Sequence, residues 1–195
     1  MSMKPEKTGS PATGGMEKAA HSVDKAEECY PVVVALLRLL LFVSLAVAVV
    51  VMVSSKQTYV VVPFQATLAA KFSYSPAFIY FVAALSVAGC CNIISTVLSF
   101  YNLIVKPSCP MLMSHFVILD VLLLGIVASA TGTAGGVAYL GLNGNSHVGW
   151  MKVCNIFDVY CTHIGTSVAV SLFASVILVI LIILSIHSLS KKIPK

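Results

Sequence analysis

The sequence predicts an all-α membrane protein, a four-transmembrane-helix bundle with both termini in the cytoplasm. Three observations predict it. Of the 195 residues, 58% are hydrophobic and 10% charged, and the mean hydropathy is +0.98. A soluble domain is usually about 45–50% apolar and about 25% charged, so this chain lacks the charge to cover a water-facing surface. The apolar residues gather into four long runs, and the lysines are distributed unequally between the segments that join them.

The runs cover about 31–53, 77–104, 113–140 and 165–186. Each exceeds the roughly 20 residues that a helix needs to cross the hydrocarbon core, and none alternates as a barrel strand does. They define a transmembrane domain at about 31–187, preceded by a tail at 1–30 and followed by a short tail at 188–195. The first tail is rich in Lys, Glu, Gly, Ser and Thr and is expected to be disordered and cytoplasmic. Lys4, Lys7, Lys18, Lys25, Lys106, Lys191, Lys192 and Lys195 fall on one side of such a bundle, against Lys56, Lys71 and Lys152 on the other. The positive-inside rule places the lysine-rich side in the cytoplasm. The first run starts too late and runs too long for a cleaved signal peptide. With no retrieval signal at the end, the plasma membrane is the expected location.

Two formal charges lie within the runs, Arg38 in the first and Asp120 in the third. Each costs about 2.5–3.5 kcal/mol at a helix centre. Arg38 follows Pro31 by seven residues, and Asp120 follows Met113 by seven. Both therefore lie roughly 10 Å in from the same edge, at a rise of 1.5 Å per residue. Matched depth and opposite sign predict an intramembrane ion pair. One reading of the pair is a proton relay or ion pathway, and the other is a clamp that fixes helix register. A relay usually needs a chain of titrating groups, and Arg keeps its proton, so the clamp is the stronger reading. His115 reads as interfacial. Asn92 and Asn102 are expected to face protein, because an unpaired amide in hydrocarbon is costly. Cys90 and Cys91 read as small buried residues.

Small residues recur at intervals of four: Gly125, Ser129 and Thr133 in the third run, and Ser167, Ser171 and Ser175 in the fourth. Such stripes let helix backbones approach closely, within one bundle or between copies. Cys154 and Cys161 lie in the second outer segment, on the oxidising side, where a disulfide is expected. A zinc site that adds His163 fits no common ligand spacing. Trp150 suits an interfacial anchor. Cys29 and Cys109 lie near the inner membrane edge, where palmitoylation occurs, and Ser10-Pro11 is a weak match to a proline-directed phosphorylation site. Neither outer segment holds an Asn-x-Ser/Thr acceptor.

No phosphate loop, dinucleotide fingerprint, zincin motif or nucleophile elbow is found, so no catalytic residue, metal ligand or cofactor is expected. Nucleic acid is not an expected partner, since the basic residues sit in tails and loops rather than in a patch interleaved with aromatics.

Several stretches carry a family resemblance. They are Leu37-Arg38-Leu39-Leu40, Leu119-Asp120, Phe72-Ser73-Tyr74-Ser75-Pro76-Ala77-Phe78, Trp150-Met151-Lys152-Val153-Cys154, Tyr160-Cys161 and Gly165-Thr166-Ser167. With them, about residues 30–190 resemble the Casparian strip membrane domain protein (CASP) family of plants, and in particular its CASP-like group. The chain is also distantly similar to the four-span MARVEL proteins. In that family the Arg and Asp of spans one and three are hallmark positions. The resemblance implies a plasma-membrane scaffold that forms homo-oligomers, at least dimers, and hetero-oligomers with related members, and that recruits wall-modifying partners. The first outer segment, Thr58-Tyr59-Val60-Val61-Val62-Pro63-Phe64-Gln65, departs from the aromatic-rich loop of the strip-forming members. That favours the broader CASP-like group. The alternative function is a small channel or proton-coupled carrier that uses Asp120.

Overall fold

The computed structural model describes the backbone of residues 13–61, 66–105 and 110–192, with side chains for 31–60, 67–101 and 114–190. Ser10, Cys29, Asn102, Lys106, Cys109 and the lysines of both tails lie outside the described side chains. Among the described residues are four long helices: α1 (Thr13–Ser54), α2 (Pro76–Val105), α3 (Pro110–Asn143) and α4 (Asp158–Lys192). Each contains a stretch long and apolar enough to cross a membrane, at Pro31–Ser54, Pro76–Tyr101, Ser114–Asn143 and Asp158–Ser190.

The chain divides into two compact units, Met1–Leu36 and Leu37–Lys195. In the first, α1 already runs from Thr13, inside the segment for which the sequence predicts disorder. Met16, Glu17, Lys18, Ala19 and Ala20 are good helix formers, which is the physical reason for the difference. Pro31 lies within the helix and removes one i→i−4 bond. In the second unit, α4 continues to Lys192, past the expected start of the C-terminal tail.

The core of the second unit is a set of seams with a spacing of three and four. On α1 the buried positions are Arg38, Leu41, Leu45, Ala48 and Met52. On α2 they include Phe78, Phe81, Leu85, Ala88, Asn92 and Ser95. Asp120, Leu123, Val127, Ala130 and Ala134 continue the pattern on α3, and Ile164, Ser167, Ser171, Ala174 and Leu178 on α4. That spacing keeps one face of a helix against its neighbours. The other faces remain apolar and exposed, as with Leu39, Val43 and Val50 on α1. Hydrocarbon is as good a solvent for them as another helix.

A hairpin joins α1 to α2. Strand β1 (Lys56–Val61) pairs antiparallel with β2 (Ala66–Lys71), with Lys56 opposite Lys71 and Tyr59 opposite Leu68. The sequence predicts only a short loop for this segment. Tyr59, Val60 and Val61 are the aromatic and β-branched residues that strands favour. A short 3₁₀ turn, Phe72–Tyr74, then leads into α2, where Pro76 occupies the first helical position.

Helix α3 ends on Gly144, whose φ of +67° is left-handed. Its N–H donates to the Leu140 carbonyl at 2.8 Å, closing the helix end. A Cβ at this position would lie 2.7 Å from the Trp150 carbonyl oxygen, so glycine is required for space as well as for conformation. The chain then forms a tight loop, with Asn145 and Trp150 exchanging backbone hydrogen bonds at 3.0 and 2.9 Å.

Candidate functional site

The polar centre of the bundle is built by three helices. Arg38 Nη2 donates to Asp120 Oδ2 at 2.9 Å, and Nη1 donates to Asp120 Oδ1 at 3.4 Å. The two residues are 4% and 1% exposed, so the pair is desolvated. A guanidinium fork that meets both carboxylate oxygens neutralises each charge and fixes their mutual orientation.

Asn92 of α2 is the third member, and nothing in the sequence connects it to the pair. Its Oδ1 accepts from Arg38 Nη1 at 3.4 Å, and its Nδ2 donates to the Arg38 carbonyl at 3.0 Å. One residue of α1 thus holds α2 through its backbone and side chain, and α3 through its side chain. Arg38 Nε is buried with no hydrogen-bond partner. Both oxygens of Asp120 face a cation that does not release its proton, which suits a clamp better than a relay.

The two small-residue stripes lie in different surroundings. Ser167 and Ser171 of α4 are fully buried. Ser167 Oγ donates to the Ala48 carbonyl of α1 at 2.6 Å, and Ser171 Oγ accepts from Thr131 Oγ1 of α3 at 3.0 Å. Ser175 is half-buried and donates to the Ser171 carbonyl at 3.1 Å. The α4 stripe therefore serves packing within one chain. On α3, by contrast, Gly125, Ser129 and Thr133 are all exposed. Thr133 Oγ1 donates to the Ser129 carbonyl, while Ser129 Oγ lies 3.4 Å from Tyr80 Oη of α2. Gly132 and Gly136 lie along the same helix, exposed, and a Cβ on either would meet nothing within 4 Å. Cys90, expected to be buried, is exposed, and Cys91 is half-buried. A thiol is apolar enough to face lipid at little cost.

At the hairpin end, Cys154 and Cys161 form a disulfide with a Cα–Cα distance of 5.7 Å. The N–H groups of Val153 and Cys154 both donate to the Gly141 carbonyl in the last turn of α3, at 2.9 and 3.1 Å. The disulfide thereby fastens a segment held by α3 to the first turn of α4. The hairpin reaches the same turn. Gln57 Oε1 accepts from the Tyr160 backbone N–H at 3.0 Å, satisfying an amide that the helix start leaves unpaired. Tyr160 Oη donates back to the Lys71 carbonyl at 3.4 Å. The sequence carried no clear signal for this link, since Gln57 and Tyr160 are 103 positions apart. Trp150 is exposed, and Asp158 in the first turn of α4 has the sign that favours a helix start.

Residues 28–177 match the family model described as the Casparian strip membrane protein domain. The chain belongs to this family. CASP-like protein IN26 of Ipomoea nil is 63% identical over 196 residues, spanning 96% of this chain and 98% of that one. CASP-like protein 1D1 of Populus trichocarpa is 57% identical over 164 residues, covering 82% and 83% of the two chains. CASP-like protein 1D1 of Vitis vinifera is 57% identical, covering 82% of this chain and 78% of the relative. No solved structure matches the chain significantly. The matched CASP region spans Arg38, Asn92 and Asp120, both stripes and the disulfide.

Proposed function

We propose that this CASP-like chain is a non-enzymatic plasma-membrane scaffold. It self-associates laterally, with itself and with related family members, and recruits wall-modifying partners through its loops. Both termini lie in the cytoplasm, so the hairpin and the disulfide loop face outward. The observation that carries this reading is the α3 face: Gly125, Ser129 and Thr133 are exposed in mid-span while Ser167 and Ser171 on α4 are consumed inside the bundle. Bare backbone directed at lipid gains nothing there, whereas a facing helix supplies close contact.

Photobleaching recovery of a fluorescent fusion in a plant plasma membrane tests it. Slow, incomplete recovery in confined patches is expected, and Gly125→Leu with Ser129→Leu should restore mobility. Fast and complete recovery of the unaltered protein overturns the scaffold. Immobile stripe variants overturn the assignment of the α3 face.

A further inference from the structure

A cavity of about 360 Å³ lies at the hairpin end, between the start of α2, the end of α3 and the start of α4. Phe78, Tyr160 and Ile164 form its buried floor, and Tyr74, Tyr139 and Leu142 its exposed rim. The lining is largely apolar, and the volume falls within the roughly 300–1,000 Å³ of small-molecule sites. Bonds already described fix part of the lining in place: the Cys154–Cys161 disulfide and the Tyr160 link to the hairpin. Gly141 and Gly165 line the space without side chains, and a Cβ on Gly165 would meet nothing within 4 Å.

Charge at the rim indicates what belongs there. Lys56 and Lys71 are directly opposed across the hairpin. Like charges in that position repel and destabilise the pair of strands. Among the described residues the ion pair is Arg38–Asp120, and neither lysine joins one. Lys71 Nζ lies 5.9 Å from the ring centroid of Tyr74, on the cavity rim. The Lys71 carbonyl is bound by Tyr160, whose ring forms part of the floor. Lys71, with Lys56 opposite it across the hairpin, thus brings ammonium charge to the rim of an apolar slot.

We propose that this cavity binds a free fatty-acid anion, its acyl chain in the slot and its carboxylate between Lys71 and Lys56. Such a ligand fills apolar space and relieves the lysine repulsion in a single binding event. A lipid with two chains leaves one of them outside the slot. The proposal does not depend on self-association.

The test uses the full chain in phosphatidylcholine nanodiscs with a diazirine-bearing fatty acid, the adducts being located by mass spectrometry. Saturable labelling on Phe78, Tyr160 or Ile164 is expected, displaced by oleate and at least about tenfold less well by oleyl alcohol, which lacks the charge. Lys71→Glu should weaken oleate at least about tenfold, and Gly165→Phe should abolish floor labelling while elution is unchanged. If Gly165→Phe fails to fold, adduct mapping on the unaltered chain decides by itself. Labelling that does not saturate, or that spreads over the lipid-facing helices, overturns the proposal. Equal displacement by oleyl alcohol overturns the role of the lysines. Displacement by phosphatidylglycerol better than by oleate overturns the free acid as ligand and assigns the site to a membrane phospholipid.

Discussion

Replacing Asp120 with Asn removes one charge from a desolvated pair and leaves the other in place. Arg38 is 4% exposed and Asp120 is 1% exposed, so water cannot compensate the stranded guanidinium. Breaking a buried pair from one side costs about 3–5 kcal/mol. Asn retains one oxygen to accept from Arg38, and Asn92 Oδ1 remains 3.4 Å from Nη1, which puts the loss near the lower end. The expectation for Asp120→Asn is about 3 kcal/mol, roughly a hundredfold in the folding equilibrium. Removing both charges tells a different story. Arg38→Met with Asp120→Leu strands no charge, although it takes the donor from Asn92 Oδ1, and should regain most of that loss, since apolar replacement of a whole buried pair is often neutral. Reversible unfolding in mixed micelles, run as a double-mutant cycle, measures both. A loss under about 1 kcal/mol for Asp120→Asn refutes the reasoning, as does a double variant as unstable as the single one. The first result means that the pair is solvated in the membrane, and the second that its geometry matters beyond charge.

Other perturbations separate the devices at the hairpin end. Cys154→Ser should cost about 2–3 kcal/mol, because it opens a short loop; reduced wild-type protein should unfold at the same denaturant concentration as the variant. Gly144→Ala meets a left-handed φ and the Trp150 carbonyl 2.7 Å away, whereas Gly149→Ala meets φ +70° with open space. Gly149→Ala should cost about 1–2 kcal/mol and Gly144→Ala clearly more, read from thermal unfolding of the two variants side by side. Equal losses would mean that the contact with Trp150 relaxes freely.

The four spans were legible because length and hydropathy suffice for them, and their observed limits lie within a few residues of the expected ones except at α4. Hydropathy puts the start of α4 at Gly165 rather than at Asp158 because Tyr160, Thr162 and His163 dilute the apolar run. Which face of each helix turns inward was not legible from hydropathy. A helix that is apolar all round gives no amphipathic signal, and only its rare polar residues mark the seam. Arg38 and Asp120 marked it through their cost in lipid. Asn92 marked it too, but an amide names no partner, so its place beside Arg38 emerged only with the geometry. The stripes show the same limit: equal spacing on α3 and α4 hid opposite surroundings, exposed on one helix and buried on the other. The hairpin was missed for another reason. Its strands are short and flank residues 62–65, where Val62-Pro63 interrupts the pattern that alternation would need.

The first turn of α4 receives Gln57 from one loop and the disulfide from the other, while Gly141 holds the second loop to α3. Mechanically, the two loops are therefore not independent tethers. A tug on either is delivered to the same helix turn, and the disulfide shares the load with the end of α3. A pull on either loop therefore reaches the ends of α3 and α4 together instead of peeling one loop away by itself.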